Sequence, residues 1–297
     1  MANKRHPLIV DLTFPVAIFG IIGNSLVIIS ILQRRRLLTS NYYFVVLHLA
    51  ICDLIWLIQH SVQLMTKLLM TGVSSDDTFC LFVKTGYMFA EAGAFLMLII
   101  AFLRYRATAY PFKHPISKRR LKVSCTIAYL ASFLFGYALF IPSCVGYDDY
   151  FVLVKIQHNV VVLGCILVTT VNAAIYYKIG RVLYNQKNNF PILHEQKSSF
   201  YKQRYYRNRK IFYICLLTVI FFAIGNIAVA IAFFVQMSSY YSSSLFYDIA
   251  VLLRIFTTHA VNPIVYGLLD KKLLIFWRNC GKKRTNVMLE SRVERNL

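Results

Sequence analysis

Acid is scarce in this chain. Of 297 residues only 12 are Asp or Glu, and charged residues of both signs make up 15%. A typical soluble protein carries roughly 25%. Internal repeats and low-complexity linkers are lacking, and the apolar runs are continuous rather than alternating, which excludes a membrane β-barrel. Also missing are a nucleophile–base pair at sensible spacing, a cluster of metal ligands and a phosphate-binding loop, so an enzyme is not expected. His48, His60 and His259 stand isolated in apolar surroundings and read as single packing hydrogen bonds.

What is present is hydrocarbon. Hydrophobic residues make 58% of the chain, and the mean hydropathy is +0.56. The excess sits in blocks of roughly 20 residues, the length that crosses about 30 Å of bilayer core. Seven spans are expected, at about 8–32, 42–65, 79–105, 123–142, 156–179, 210–235 and 246–269. Backbone polar groups in lipid must be satisfied within the segment, so the fold class is an all-α seven-transmembrane helix bundle. The chain reads as a single domain over 1–297. The polar stretch 185–207 suggests that both flanking helices continue out of the membrane.

Net charge is +21, but its distribution argues against nucleic acid as a partner. Of the 33 Lys and Arg, 27 fall at or beyond the inner ends of spans one, three, five and seven. The other side carries Asp76, Asp77, Asp148, Asp149 and Asp248. The positive-inside rule puts the N-terminus outside and the tail in the cytoplasm, as expected of a multi-pass plasma-membrane protein. The first apolar run is too long for a cleaved signal peptide, so it reads as a true span. After the last span, 271–279 alternates Leu273, Leu274, Phe276 and Trp277 with bases and reads as an amphipathic helix on the inner leaflet. Cys280, at the head of the tail 280–297, is either a palmitoylation site or a plain thiol. Cys80 and Cys144 fall on the outer, oxidising side; they either bridge the top of span three to the loop after span four or stay free. Cys52, Cys125, Cys165 and Cys215 read as small buried hydrophobes.

Polar groups at membrane depth are costly, so each is a candidate for function. Asn24, Asp53, Glu91, Arg254 and Asn262 lie within spans, and Arg104 ends span three with no acid beside it. Helix–helix hydrogen bonding is the simpler reading for the asparagines, and Glu91 with Arg254 could form a structural pair. Pro263 removes a backbone donor and makes a kink expected there, with Asn262 supplying replacement bonds.

These pieces, in order, resemble the rhodopsin-like (class A) G-protein-coupled receptors: GNSLV at 23–27, LAICD at 49–53, Cys80 before span three, LRYRATAYP at 103–111, IYYKIGRVL closing span five, and NPIVY at 262–266. The resemblance implies a receptor that carries ligand binding outside to heterotrimeric G proteins inside, with arrestin and membrane lipids as further partners. It makes Arg104, followed by Tyr105, the transducing residue. Tyr176, Asn262, Pro263 and Tyr266 become the activation group, Cys80–Cys144 the disulfide, and Asp53 with Asn262 and Asn24 an intramembrane site for an allosteric sodium ion. No other cofactor is implied.

The departures from the family pattern are equally specific. Leu103 stands where an acid usually precedes the arginine, and Gly93 where a small polar residue helps hold sodium. Ser132 and Val168 stand near the missing tryptophan of span four and proline of span five, and VIFFAIGNIAVAI of span six lacks Trp-x-Pro, with Gly225 and Ile227 there instead. Gly225 and Asn226 offer bending in place of a proline. By the same resemblance, Gly86 replaces the aspartate of amine receptors, and the absence of lysine in span seven excludes a retinal Schiff base. The short N-terminal segment excludes a large hormone-binding domain. A peptide or other small molecule remains as ligand, with Lys84, Gly86, Tyr87, Glu91 and Arg254 as the candidate pocket. The span-six losses keep open a non-signalling scaffold or trafficking partner. A transporter is disfavoured because no repeat is visible and, apart from Pro15 early in span one, only span seven has an internal proline break.

Overall fold

The computed structural model describes residues 7–69, 77–111, 113–140, 150–188, 195–238 and 244–269. Some side chains within these ranges, Cys80, Lys84 and Tyr266 among them, are outside the description. So are the expected amphipathic stretch 271–279, the tail with Cys280, and Cys144, which leaves the disulfide outside the described residues.

Among the described residues all regular structure is helical. Helix α1 is Pro7–Gln33 and leads through a one-turn helix, Arg35–Leu38, into α2, Asn41–Leu69. Then come α3 (Asp77–Ala109), α4 (Lys118–Phe140), α5 (Tyr150–Asn188) and α6 (Glu195–Ser238). The last pass is split into α7 (Ser244–Arg254), a π-helical stretch Ile255–Ala260 and α8 (Asn262–Leu269). Six of the helices are long and apolar enough to cross a membrane, with spans Asp11–Gln33, Asn41–Thr66, Thr85–Ala109, Val162–Lys187, Asn208–Ala232 and Leu245–Val265. Helix α4 takes the remaining place in the bundle. The all-α membrane bundle expected from the hydropathy blocks is the fold observed.

Several helices outrun their hydrophobic spans. The 39 residues of α5 and 44 of α6 correspond to about 58 and 66 Å, roughly twice the hydrocarbon core. Helical hydrogen bonds are internal, so a helix continues where hydropathy falls while its polar side chains meet water. The stretch 185–207 therefore holds two helix extensions, as its composition suggested.

Packing is two-sided. Val45, Leu49, Leu96, Ile100, Ile179 and Phe222 belong to one buried cluster joining α2, α3, α5 and α6. Large apolar side chains also cover the outer wall: Ile127 is 59% exposed, Leu134 71%, Leu163 65% and Phe234 75%. In water such a surface would aggregate; in a bilayer it is the solvent-facing side. Cys52, Cys125 and Cys215 are buried free thiols and Cys165 is half-buried, in keeping with small apolar packing.

Pro263 explains the split last pass. Lacking an N–H, it cannot bond the carbonyl four residues back, which belongs to His259. That carbonyl accepts from across the bundle instead: Asn24 Nδ2 donates to it at 3.2 Å and to Gly20 O at 2.9 Å. Val261 N–H reaches back five residues to Phe256 O at 3.0 Å, the π-helical register. The kink expected at Asn262–Pro263 is thus realised as a widened turn just before the proline. Helix α1 can approach it because Gly20 and Gly23 have no side chain. A Cβ on Gly20 would lie 3.0 Å from Ala260 Cα, and one on Gly23 2.9 Å from Pro263 Cβ.

Candidate functional site in the membrane core and at the basic end

The widened turn presents His259 and Asn262, three residues apart, on one face toward α2. Asp53 meets both. His259 Nδ1 lies 2.7 Å from Asp53 Oδ1, and Asn262 Nδ2 donates to Oδ2 at 2.9 Å. Asn262 Nδ2 also donates to Thr258 O at 2.7 Å. All three residues are buried. On α2, Asp53, Trp56 and His60 share a face at i, i+3 and i+7. Trp56 is stacked between His60, 5.1 Å away, and His259, 4.1 Å away. His259 is therefore more than packing: it is the main partner of the carboxylate. The isolated-histidine reading missed this, although its spacing from Asn262 carried the signal.

This geometry does not fit the sodium ion that the resemblance implied. A hard cation needs several oxygen ligands. Each Asp53 oxygen already faces a side-chain nitrogen, His259 Nδ1 or Asn262 Nδ2, and Gly93 supplies no hydroxyl; a Cβ there would lie 4.0 Å from Asp53 Oδ1. Among the described residues no group of three or more His, Cys, Asp or Glu could hold a metal. Asn24 serves the His259 carbonyl rather than the carboxylate.

One turn outward, the structural pairing open to Glu91 and Arg254 does not close. Glu91 and Arg254 lie within electrostatic range, yet no ion pair forms, and Glu91 Oε2 and Arg254 Nε are buried without a hydrogen-bond partner. Around them Cys165 Sγ donates to Asn226 Oδ1 at 3.4 Å, bridging α5 and α6. Gly86 is covered by Gln59, whose Nε2 donates to Thr85 Oγ1 at 3.0 Å and Phe82 O at 3.2 Å. A Cβ on Gly86 would meet Gln59 Oε1 at 2.8 Å. Tyr87 is half-buried on the same helix. Asp248, counted above with the outer acids, is 4% exposed. It faces the bundle and adds nothing to an acidic outer surface.

Helix α6 is continuous through Gly225. The glycine lets the last pass come close. A Cβ at Gly225 would lie 2.5 Å from Thr257 Oγ1, 2.7 Å from Thr258 Oγ1 and 3.0 Å from Arg254 Cα. Asn226 bonds within its own helix, to Phe222 O at 2.8 Å. Tyr129 of α4 reaches α2. Its hydroxyl lies 3.2 Å from His48 Nδ1 and accepts from Cys52 Sγ at 3.4 Å.

At the basic end, Arg104 has found a partner that the sequence did not reveal. Its guanidinium lies face-on over the Tyr42 ring, 3.5 Å from the centroid. Arg104 also lies within electrostatic range of Tyr176 and Cys215. It is half-buried, and its Nε has no hydrogen-bond partner. Tyr176 is buried at 3% exposure. Tyr105 turns elsewhere, packing edge-on to Tyr110 at 6.1 Å. Tyr266 belongs to α8, one turn beyond Asn262. The connections are tied down locally. Asn41 Nδ2 donates to Ile116 O at 2.6 Å, and Lys118 Nζ donates to Leu38 O at 2.6 Å.

Comparison with known proteins agrees with this architecture. The family described as 7 transmembrane receptor (rhodopsin family) matches residues 23–266. Similar proteins include cephalotocin receptor 1 of Octopus vulgaris, 32% identical over 123 residues, 41% of this chain and 31% of that protein. Human olfactory receptor 2T3 is 31% identical over 119 residues, covering 38% of this chain and 36% of that protein. The alpha-1A adrenergic receptor of Oryzias latipes is 29% identical over 120 residues, covering 39% and 25%. The aligned stretch spans about a third or less of each of these relatives.

Proposed function

The chain belongs to the rhodopsin family of seven-transmembrane receptors, a receptor class and not an enzyme class, and from that premise we propose that it couples an extracellular ligand to cytoplasmic heterotrimeric G proteins. It does so from the plasma membrane, with its N-terminus outside and its basic end in the cytoplasm. The ligand is a peptide or another small molecule, and the relatives do not decide between them because their named ligands differ in kind. Glu91 and Arg254, each with one buried atom left without a partner, mark the floor of its pocket. Binding shifts the bundle toward its active packing by preferring it.

The observation that carries this reading is Arg104 at the basic mouth, held by a ring and not by an acid. Removing it is the direct test. Arg104→Ala is expected to abolish basal and ligand-induced second-messenger output at matched surface expression. Unchanged output would refute the transducing role.

Tyr42 is the resting-state restraint in this reading. A cation over a ring contributes about 1 kcal/mol when exposed and about 2 when desolvated. Tyr42→Leu is therefore expected to raise basal output by about five- to thirtyfold, and Tyr42→Phe, which keeps the ring but loses the hydroxyl that also interacts with Arg104, to raise it by less. Leu103→Asp, which restores an acid next to Arg104, is expected to lower basal output. Leu103 packs against the buried cluster, so the comparison is made at equal surface expression. If Tyr42→Leu signals no more than wild type, the ring is not the latch.

One observation favours a second reading, a non-signalling scaffold or trafficking partner. The tight seam at Gly225 holds α6 against the last pass, where typical relatives use Trp-x-Pro. That reading predicts effects on trafficking with no nucleotide exchange on any G protein.

A further inference from the structure

A cleft of about 740 Å³ opens on the outer wall of the bundle between α5 and α6, away from the polar core. Its α5 side runs from Thr169 to Asn185, a length of about 24 Å at 1.5 Å per residue. One leaflet of a bilayer, headgroups included, is about 20–22 Å thick. The cleft is thus one leaflet long and begins near mid-membrane. Small residues open it: Ala173 and Gly180 on α5, Ala223 on α6. Gly180 matters most, because a Cβ there would already touch Phe212 Cζ at 3.5 Å. The lower end is polar, with Arg181, Tyr184 and Asn185 in the lining. Lys178, Lys187, Arg209 and Lys210 are exposed around it.

An apolar slot one leaflet deep, ending in bases, has the charge pattern of a lipid and not of a soluble metabolite. We propose that it binds one anionic phospholipid of the cytoplasmic leaflet, an acyl chain lying between α5 and α6 and the headgroup phosphate against Arg181 and Tyr184. The cytoplasmic leaflet is the anionic one, and bases near its surface attract it. The back wall includes Tyr176, which lies within electrostatic range of Arg104. The lipid therefore sits directly behind the transducing site.

The test uses the purified, delipidated full chain in detergent, with lipid adducts counted by native mass spectrometry. Phosphatidylserine, phosphatidylcholine and soluble glycerophosphoserine are each titrated. One saturable phosphatidylserine adduct is expected, stronger than that of phosphatidylcholine, with no competition from glycerophosphoserine. Arg181→Gln should weaken the phosphatidylserine adduct about fivefold. Gly180→Leu, which fills the slot, should weaken both lipids. Arg119→Gln, an exposed base on α4, should leave the adduct unchanged. Equal weakening by Arg119→Gln would reduce the effect to diffuse attraction and overturn the site. So would equal affinity for the two lipids, displacement by glycerophosphoserine, or no effect of Gly180→Leu.

Discussion

His259→Ala is expected to destabilise the folded receptor by about 3 kcal/mol, the upper end of the usual loss when a buried polar group is left without its hydrogen-bond partner. The cause is what stays behind. Asp53 would keep Asn262 on one oxygen and lose its side-chain partner on the other, and a buried polar group left unsatisfied is costly. The Trp56 ring would also lose the face it stacks on at 4.1 Å. Thermal unfolding in detergent should show a drop of roughly 10 °C. Adding Asp53→Asn to the alanine variant should recover part of the loss, because no stranded carboxylate remains. Strict additivity of the two substitutions would mean the residues do not interact. The same pairing predicts that wild-type stability is equal in sodium and choline chloride at matched ionic strength. A sodium-specific rise would show Asp53 open to a cation and contradict the pairing.

Gly225→Val is expected to disrupt the seam between α6 and the last pass. The first added carbon already falls 2.5 Å from Thr257 Oγ1 and 3.0 Å from the Arg254 backbone. Thr257 cannot rotate away freely, since its hydroxyl donates to Leu253 O at 2.8 Å. Overpacking typically costs about 1–3 kcal/mol, and valine, with two further methyls, belongs at the upper end. Gly225→Ala should lie between wild type and valine, because alanine regains up to about 1 kcal/mol of helix propensity. The ordering Gly, Ala, Val in melting temperature and surface expression is the measurement. A valine variant as stable as wild type would show that the helices do not touch there.

Much of the architecture was legible beforehand. Hydropathy blocks located the spans, and the proline of NPIVY located the break in the last one, because Pro263 lacks its donor whatever surrounds it. Helix ends were less legible, since α5 and α6 continue into water where hydropathy has no signal. The site was legible in part. Asp53 and Asn262 were singled out, and the structure joins them directly. Glu91 and Arg254 were read either as pocket contacts or as a structural pair, and they stand near without bonding. Asp248 was placed outside and is buried, because its position in the chain says nothing of the face it occupies.

The sequence by itself determined the solvent, the number of passes and the family, for these depend on composition along the chain and on local spacing. The tertiary structure alone decided the partners. Tyr42 lies 62 positions before Arg104, Asp53 lies 206 before His259, and Gly225 meets Thr257 only because two helices cross there. A hydrogen bond, a ring contact or a steric seam acts over a few ångströms, and sequence distance carries no information about such proximity between helices. Arg104 looked unrestrained in the sequence for that reason, while the folded bundle gives it a tyrosine face.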